Sequence, residues 1–218
     1  PAGVFLIAGD SFDSDKPHPK DIAFFVGQLQ RLRTNGVRTF IIPGNHDRYS
    51  PGSWWDRAGL PVEKLFKKAD TDGVKVPELD LTVFALPYDA AKSSVNLIRG
   101  ARLNVETGRS ILMLHGTWLN FGRDECEVEC HPFATDDLSR ISVDYVALGH
   151  FHATREATPP RGRPVAFYPG TPEATGFGAN CEEAGGIIVG EITEGGVVTA
   201  RPRWVSAGRH RRLKINCT

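Results

Sequence analysis

Residues 40–47 read Phe-Ile-Ile-Pro-Gly-Asn-His-Asp, an apolar run that stops abruptly at a glycine turn. A buried strand that ends in such a turn carries an amide, an imidazole and a carboxylate to the rim of a sheet, where the sites of α/β proteins form. The stretch therefore predicts a functional site at the end of a strand.

The same pattern recurs at three other places in the chain. In each, a short apolar run is followed at once by polar residues: 4–8 by Gly9-Asp10-Ser11-Phe12-Asp13, 111–114 by His115-Gly116, and 145–148 by Gly149-His150-Phe151-His152. One Gly-Asp or Asn-His pair alone is typical of an ordinary turn or cap. Four in succession predict that Asp, Asn and His side chains meet at one edge.

Together these motifs resemble those of the calcineurin-like metallophosphoesterase superfamily. The resemblance rests on Gly9-Asp10-x-x-Asp13, Gly44-Asn45-His46-Asp47, His115-Gly116 and Gly149-His150-x-His152. The flanking stretches 9–15, 144–150 and Tyr168-Pro-Gly-Thr-Pro172 are most similar to the SbcD-like branch of DNA-repair nucleases. The similarity extends over roughly residues 4–192.

Asp, Asn and His side chains are suitable ligands for divalent ions such as Mn²⁺, Fe²⁺ or Zn²⁺. The resemblance implies two such ions, most naturally Mn²⁺, with Asp10 as the bridging carboxylate. It assigns Asn45, His115 and His150 to one ion and His152 to the other. The family completes the second ion's ligands with an upstream Asp-x-His motif, and none precedes Asp10. We therefore expect an N-terminally incomplete domain whose second ion is weakly held or absent.

The same resemblance makes His46 a catalytic imidazole that stabilises the transition state or protonates the leaving oxygen. It implies that Asp47 orients His46 and that Asp13 supports the turn of Asp10. Two ions in such a site activate a water and neutralise charge on a phosphoryl group. The expected reaction is therefore hydrolysis of a phosphate ester.

Three functions remain open at this point. The first is a DNA-repair exonuclease or endonuclease, for which a coiled-coil SMC-like ATPase and a second copy of the chain are candidate partners. The second is a small-molecule phosphodiesterase or phosphatase, which the balanced charge favours, since 26 Lys and Arg residues match 26 Asp and Glu residues. The third is a non-catalytic scaffold with the same fold.

The expected fold is an α/β domain over residues 1–205, arranged as a four-layer α-β-β-α sandwich, followed by a basic C-terminal segment over residues 206–218. Apolar spacing predicts helices over 21–34, 90–103 and 136–141, the last capped by Thr135. Residues 153–205 are predicted to form a mostly antiparallel sheet. In the basic segment, Arg209, Arg211 and Arg212 are candidates for binding a phosphate backbone, and a solvated edge strand is the alternative.

Two further features have alternative interpretations. Trp54 and Trp55 either pack a short helix or stack on a substrate group. The run from Cys126 to Cys130 and the adjacent histidine either bind zinc or line the cleft as reduced thiols. No apolar run approaches the ~18 residues of a membrane helix, and four cysteines are too few for a disulfide scaffold. A cytoplasmic protein is expected.

Overall fold

The computed structural model describes residues 3–106, 108–121, 130–173 and 185–208. The strands in these ranges are β1 (Val4–Ala8), β2 (Arg38–Ile42), β3 (Lys64–Leu65), β4 (Asp70–Val76), β5 (Leu81–Leu86), β6 (Arg109–His115), β7 (Tyr145–Gly149), β8 (Arg155–Glu156), β9 (Val165–Tyr168), β10 (Gly186–Ile192) and β11 (Val198–Trp204). The α-helices are α1 (Pro19–Thr34), α2 (Trp54–Arg57), α3 (Leu97–Gly100) and α4 (Thr135–Leu138). Among the described residues, no helix has the length and apolar character needed to cross a bilayer.

The strands form two principal sheets and one hairpin. Parallel strands β1, β2 and β3 make a three-stranded sheet, while a larger sheet has the order β4-β5-β6-β7-β9-β8. Strands β5, β6, β7 and β9 run parallel, and β4 and β8 are antiparallel edges. Strands β10 and β11 form an antiparallel pair.

The prediction of a mostly antiparallel sheet over residues 153–205 is wrong for β9. This strand lies parallel to β7 inside the larger sheet, between β7 and β8. Its four residues are apolar or aromatic, and Ala166, Phe167 and Tyr168 are buried. Such a continuous apolar run is typical of an inner parallel strand that is covered on both faces.

Alternating side chains of the central strands face different cores. In β6, Ile111 and Met113 pack with Phe40 of β2 in the core between the two sheets. Leu112 points the other way and packs in a second core with Ile98 of α3. Because side chains alternate along a strand, one apolar run supplies both cores.

A third core lies on the outer face of the smaller sheet. There Ile41 of β2 packs with Leu29 of α1 and with Trp54 and Trp55 of α2. Both tryptophans are less than 5% exposed, which excludes stacking on a substrate in this conformation and favours the packing interpretation. The layers are therefore helix, sheet, sheet and helix, and the predicted sandwich is confirmed.

The predicted helix over residues 90–103 is wrong. The structure has a 3-10 turn at Ala90–Lys92 and a single helical turn, α3. The buried His131 explains the interruption because its ring contacts the N–H of Asp89 (2.9 Å) and the carbonyl of Val95 (3.1 Å). These long-range contacts hold the segment in a shape that apolar spacing alone does not reveal.

The short helix predicted over residues 136–141 is the single turn α4, and Thr135 is its first residue instead of its cap. The carboxylate of Asp137 accepts a hydrogen bond from the N–H of Ala134 at 2.9 Å. The hydroxyl of Thr135 lies 2.9 Å from Nε1 of Trp118. Thr135 thus joins α4 to the chain that follows β6.

Candidate metal centre

The carboxyl ends of four strands from both principal sheets meet at one edge. Asp10 follows β1, Asn45 follows β2, His115 ends β6 and His150 follows β7. One ligand atom each from Asp10, His115 and His150 lies within 4.8 Å of the other two. The structure therefore brings together residues from the four turns that sequence reasoning selected.

Asn45 lies between the two histidines. Its Oδ1 is 2.8 Å from Nε2 of His115 and 3.0 Å from Nδ1 of His150. On the other side, Oδ2 of Asp10 is 3.3 Å from the same Nε2 of His115. The four residues expected to surround one ion therefore form one contiguous cluster.

The backbone of β1 fixes the orientation of the His115 ring. Nδ1 of His115 lies 2.8 Å from the carbonyl oxygen of Ala8 and donates to it. In the neutral ring Nε2 then carries a lone pair, which faces oxygen atoms of Asn45 and Asp10. Acceptors that converge in this way need a cation between them, either a proton on Nε2 or a metal ion, and the donor set suits Mn²⁺, Fe²⁺ or Zn²⁺. The residues present therefore fit a divalent metal.

Sequence reasoning missed the role of Ala8. Its contribution is a main-chain carbonyl, and no side-chain pattern announces such a group. Orientation of a ligand histidine by a backbone carbonyl is a general feature of metal sites. Only the packing of β1 against the end of β6 reveals it.

The pKa values of Asp10, His115 and His150 are shifted from their ordinary values. Burial raises the pKa of Asp10, but the hydrogen bond and charge of His115 outweigh burial, so the net shift is downward. Burial lowers the pKa of His115, but Asp10 outweighs this effect and the net shift is upward. Burial, followed by the charge of His115, lowers the pKa of His150 to about 3. The His150 ring is therefore neutral near pH 7 and keeps a lone pair for a metal.

The turns that carry the ligands have unusual backbone conformations. Asp10 has φ of 51° and His150 has φ of 122°, in a region that non-glycine residues rarely adopt. Such strain costs of the order of 1–3 kcal/mol and is concentrated at functional sites. At Gly44, a Cβ would lie 2.1 Å from Oδ1 of Asp10. The close approach of these two turns therefore requires glycine.

His46 lies beside the cluster but takes no part in it. Its backbone N–H donates to Oδ1 of Asp10 at 3.0 Å, while its side chain is 44% exposed. Nδ1 of the ring is 2.9 Å from Oδ1 of Asp13. The ring is therefore accessible from the solvent side, while the backbone of the same residue supports the carboxylate of Asp10.

The structure exchanges the expected roles of Asp47 and Asp13. Asp47 is fully buried, and its carboxylate accepts from the N–H groups of Ser11 (2.7 Å) and Gly44 (2.8 Å), which tie together the turns after β1 and β2. Asp13, instead, is the carboxylate beside His46. The reason is that the inward N–H groups of tight turns need a buried acceptor. This burial raises the pKa of Asp47 to about 6.

The other predicted site residues are His152, three arginines of the basic segment and the run from Cys126 to His131. His152 is exposed and is not part of the cluster formed by Asp10, His115 and His150. Arg209, Arg211 and Arg212 lie outside the described residues, as does Cys126.

His131 donates from Nδ1 to a carbonyl and accepts at Nε2 from a backbone N–H. No lone pair remains on that ring, so the zinc interpretation loses its histidine.

Comparison with known proteins agrees with this geometry. A family model described as calcineurin-like phosphoesterase matches residues 2–154. The chain belongs to this family. Its members are hydrolases that act on phosphate ester bonds, and the matched residues include all four residues of the cluster.

Several relatives of this calcineurin-like phosphoesterase can be compared over most of the chain. The uncharacterised metallophosphoesterase YhaO of Bacillus subtilis is 31% identical over 178 residues, which is 78% of this chain and 41% of the relative. The DNA double-strand break repair protein Mre11 of Methanopyrus kandleri is 27% identical over 216 residues, or 89% and 46%. Mre11 of Thermoplasma acidophilum is also 27% identical over 216 residues, or 89% and 53%. The chain spans about half the length of these relatives.

Proposed function

We propose that this chain is a metal-dependent phosphodiester hydrolase of the DNA-repair nuclease type. The observation that carries the proposal is the convergence of Asp10, Asn45, His115 and His150 at one sheet edge, with His46 exposed beside them. The similarity to two Mre11 proteins supports DNA as the substrate. A dinuclear Mn²⁺ site is the finer form of this proposal, with His152 as ligand to the second ion.

The residues divide the work between binding and proton transfer. When bound, the ions supply a Lewis acid and lower the pKa of water. His46 hydrogen-bonds a non-bridging or leaving oxygen of the substrate. Asp13 contacts Nδ1 of the ring and so holds the ring in its orientation. Asp47 acts only through the turns that it joins, so it is a positioning residue.

The second ion is expected to bind weakly. Of the predicted ligands in the described residues, only Asp10 and His152 are assigned to it, and two protein ligands leave most of a coordination shell to water. For the polypeptide of residues 1–218 we therefore expect one tight and one weak Mn²⁺ site. Two equally tight ions would show that further ligands take part.

A small-molecule phosphodiesterase or phosphatase is the second candidate. Its support is the zero formal net charge and the similarity to a relative named only as a metallophosphoesterase. The non-catalytic scaffold has no comparable support, since Asp10, Asn45, His115 and His150 lie together. If DNA is the substrate, we expect the protein to be cytoplasmic. Its expected partners are then an SMC-like ATPase or a second copy of the chain.

Hydrolysis assays with added Mn²⁺ test the function. We expect cleavage of end-labelled single-stranded DNA and of bis-p-nitrophenyl phosphate, and much weaker activity on p-nitrophenyl phosphate. His150→Ala serves as the metal-free control. Cleavage of the chromogenic diester without cleavage of DNA would favour the small-molecule alternative, and inactivity on every ester would refute the proposed function.

The basic segment gives a separate prediction about the substrate. Replacing Arg209, Arg211 and Arg212 together by Ala should weaken DNA binding without regard to sequence. Each lost phosphate contact should reduce the slope of log affinity against log salt by ~0.7–0.9. Fluorescence anisotropy over a salt series measures both quantities. An unchanged affinity and slope would remove this segment from the substrate site.

A further inference from the structure

The motif Tyr168-Pro-Gly-Thr-Pro172 has no place in the cluster described above, yet it lies against the turn that carries His152. The N–H of Thr171 donates to the carbonyl of His152 at 3.0 Å. The hydroxyl of Thr154 donates to the carbonyl of Pro169 at 2.8 Å. Two hydrogen bonds therefore join residues 169–172, which we name the proline loop, to the turn of His152.

The contact is close enough to depend on a glycine. Gly170 has φ of 75°, and a Cβ at this position would lie 2.5 Å from the carbonyl oxygen of His152 and 3.0 Å from the carbonyl carbon of Ala153. Real Cβ atoms do not approach a main chain so closely. The absence of a side chain at Gly170 therefore allows the backbone of the proline loop to pack in direct contact with the backbone of His152.

The proline loop is itself firmly anchored. On one side the buried phenol of Tyr168 donates to the carbonyl of Gly116 at 2.6 Å. On the other side the carbonyl of Thr171 accepts from the N–H of Gly185 at 2.7 Å, next to the start of β10. Because both ends of the loop are hydrogen-bonded in this way, the loop can limit the movement of the exposed turn that carries His152.

We propose that the proline loop is the positioning element of His152 and thereby sets the affinity of the second ion. This inference rests on the dinuclear site of the proposed function. An exposed side chain such as that of His152 samples many positions, and an ion binds more weakly the fewer of these positions lie beside it. A loop that fixes the carbonyl of His152 also restricts the position of its Cα and Cβ atoms, from which the imidazole extends.

A pair of glycine substitutions in the full chain tests the proposal. Gly170→Ala places a methyl group against the turn of His152. Gly162→Ala is the matched control, because Gly162 has a similar φ of 79° but no atom within 4 Å of the position that a Cβ would take. Both variants carry the same backbone strain, and only the first disturbs His152.

Calorimetric titration with Mn²⁺ alone gives the readout. We expect Gly170→Ala to weaken the second ion by about tenfold or more, the usual effect of a lost outer contact, and to change the first ion by no more than about threefold. Gly162→Ala should change neither. His152→Ala marks complete loss of the second ion, and thermal midpoints of the two glycine variants show whether both fold equally well.

Three results would overturn the proposal. Wild-type affinity for both ions in Gly170→Ala, an equal loss of both ions, or a single ion in the wild-type protein up to millimolar Mn²⁺ would each do so. The hydrolysis assays judge the proposed function separately, since a variant can fail this test while the wild-type protein cleaves DNA. If Gly170→Ala does not fold, Thr154→Val removes the bond to Pro169 and must weaken the second ion selectively, or the loop has no such role.

Discussion

At the scale of single residues, adjacent side chains in the turn after β2 have opposite surroundings. The amide of Asn45 faces two imidazoles, while the ring of His46 faces solvent and Asp13. The next residue, Asp47, is buried again. Alternation of direction along three residues thus separates the groups that we propose for metal binding, proton transfer and positioning, and each proposed role can be tested by a different substitution.

His46→Ala should lower turnover by ~10²–10⁴-fold, the usual contribution of a positioned acid–base group, and leave Mn²⁺ affinity nearly unchanged. The reason is that the contact of His46 with Asp10 uses the backbone N–H, which alanine keeps. Steady-state kinetics and Mn²⁺ titration on the same preparation provide the check.

Asn45→Ala is the comparison variant, since it removes an oxygen from the cluster and should release metal. Asp13→Asn should reduce turnover less than His46→Ala because the amide can still accept from the ring. A loss of metal from His46→Ala as large as that from Asn45→Ala would contradict the separate role of His46.

The buried imidazole of His150 predicts how pH affects stability without metal. Its pKa falls from 6.5 to about 3 on folding, so the unfolded chain binds an additional proton between these values. The contribution of this group to the free energy of unfolding should therefore decrease as pH falls below 6.5, by about 2 kcal/mol at pH 5. Asp47, whose pKa rises on folding, acts in the opposite direction between about pH 6 and its ordinary value of 3.8.

Urea denaturation with a chelator, at several pH values from 4 to 7, can isolate this effect. His150→Gln should lose less stability than the wild-type protein as pH falls from 7 to 5, because the opposing contribution of Asp47 is present in both and that of His150 only in the wild-type protein. Parallel curves for the two proteins would mean that His150 does not titrate as inferred.

At the scale of elements, the turn after β2 depends on the absence of a side chain at Gly44. Gly44→Ala should reduce Mn²⁺ affinity by about 10–100-fold, since its Cβ would lie 2.1 Å from Oδ1 of Asp10 and displace a ligand. Mn²⁺ titration measures the loss.

Gly27→Ala in α1 is the control, with no atom within 4 Å of the added methyl. It should keep wild-type affinity and gain up to ~1 kcal/mol of stability because alanine favours a helix. If both variants bound Mn²⁺ equally well, the contact between the two turns would have no role in binding.

The elements also show what sequence reasoning can and cannot predict. Strands β1, β2, β6 and β7 were predictable because each is an apolar run that ends in its own polar turn, and the resemblance supplied the ligand assignments. The segment 90–103 was not, because contacts with His131, more than thirty residues away, decide its shape. The exchanged roles of Asp13 and Asp47 depend on backbone N–H directions that a sequence does not carry.

At the scale of the whole molecule, the cluster joins the two sheets. Asp10 and Asn45 follow strands of the smaller sheet, and His115 and His150 belong to the larger one. An ion bound here stabilises the packing of one sheet on the other. Metal should therefore act on global stability and not only on the local turns.

Mn²⁺ at a hundredfold excess over its Kd should stabilise the fold by about 2.7 kcal/mol, or about 5–10 °C in Tm for a chain of this size. Scanning calorimetry over a range of Mn²⁺ concentrations can measure this shift. His150→Ala should show almost none. A variant that kept the full shift would place the ion elsewhere.

The division of ligands between the sheets also has a consequence for protein synthesis. Asn45 and His150 contact each other across 105 positions of sequence, so a growing chain on the ribosome lacks the last ligand until both sheets can form. A chain that has emerged only as far as β6 therefore offers three of the four residues of the cluster to a competing ion such as copper or zinc. The complete set forms only when β7 has packed beside β6 and brought His150 to Asn45.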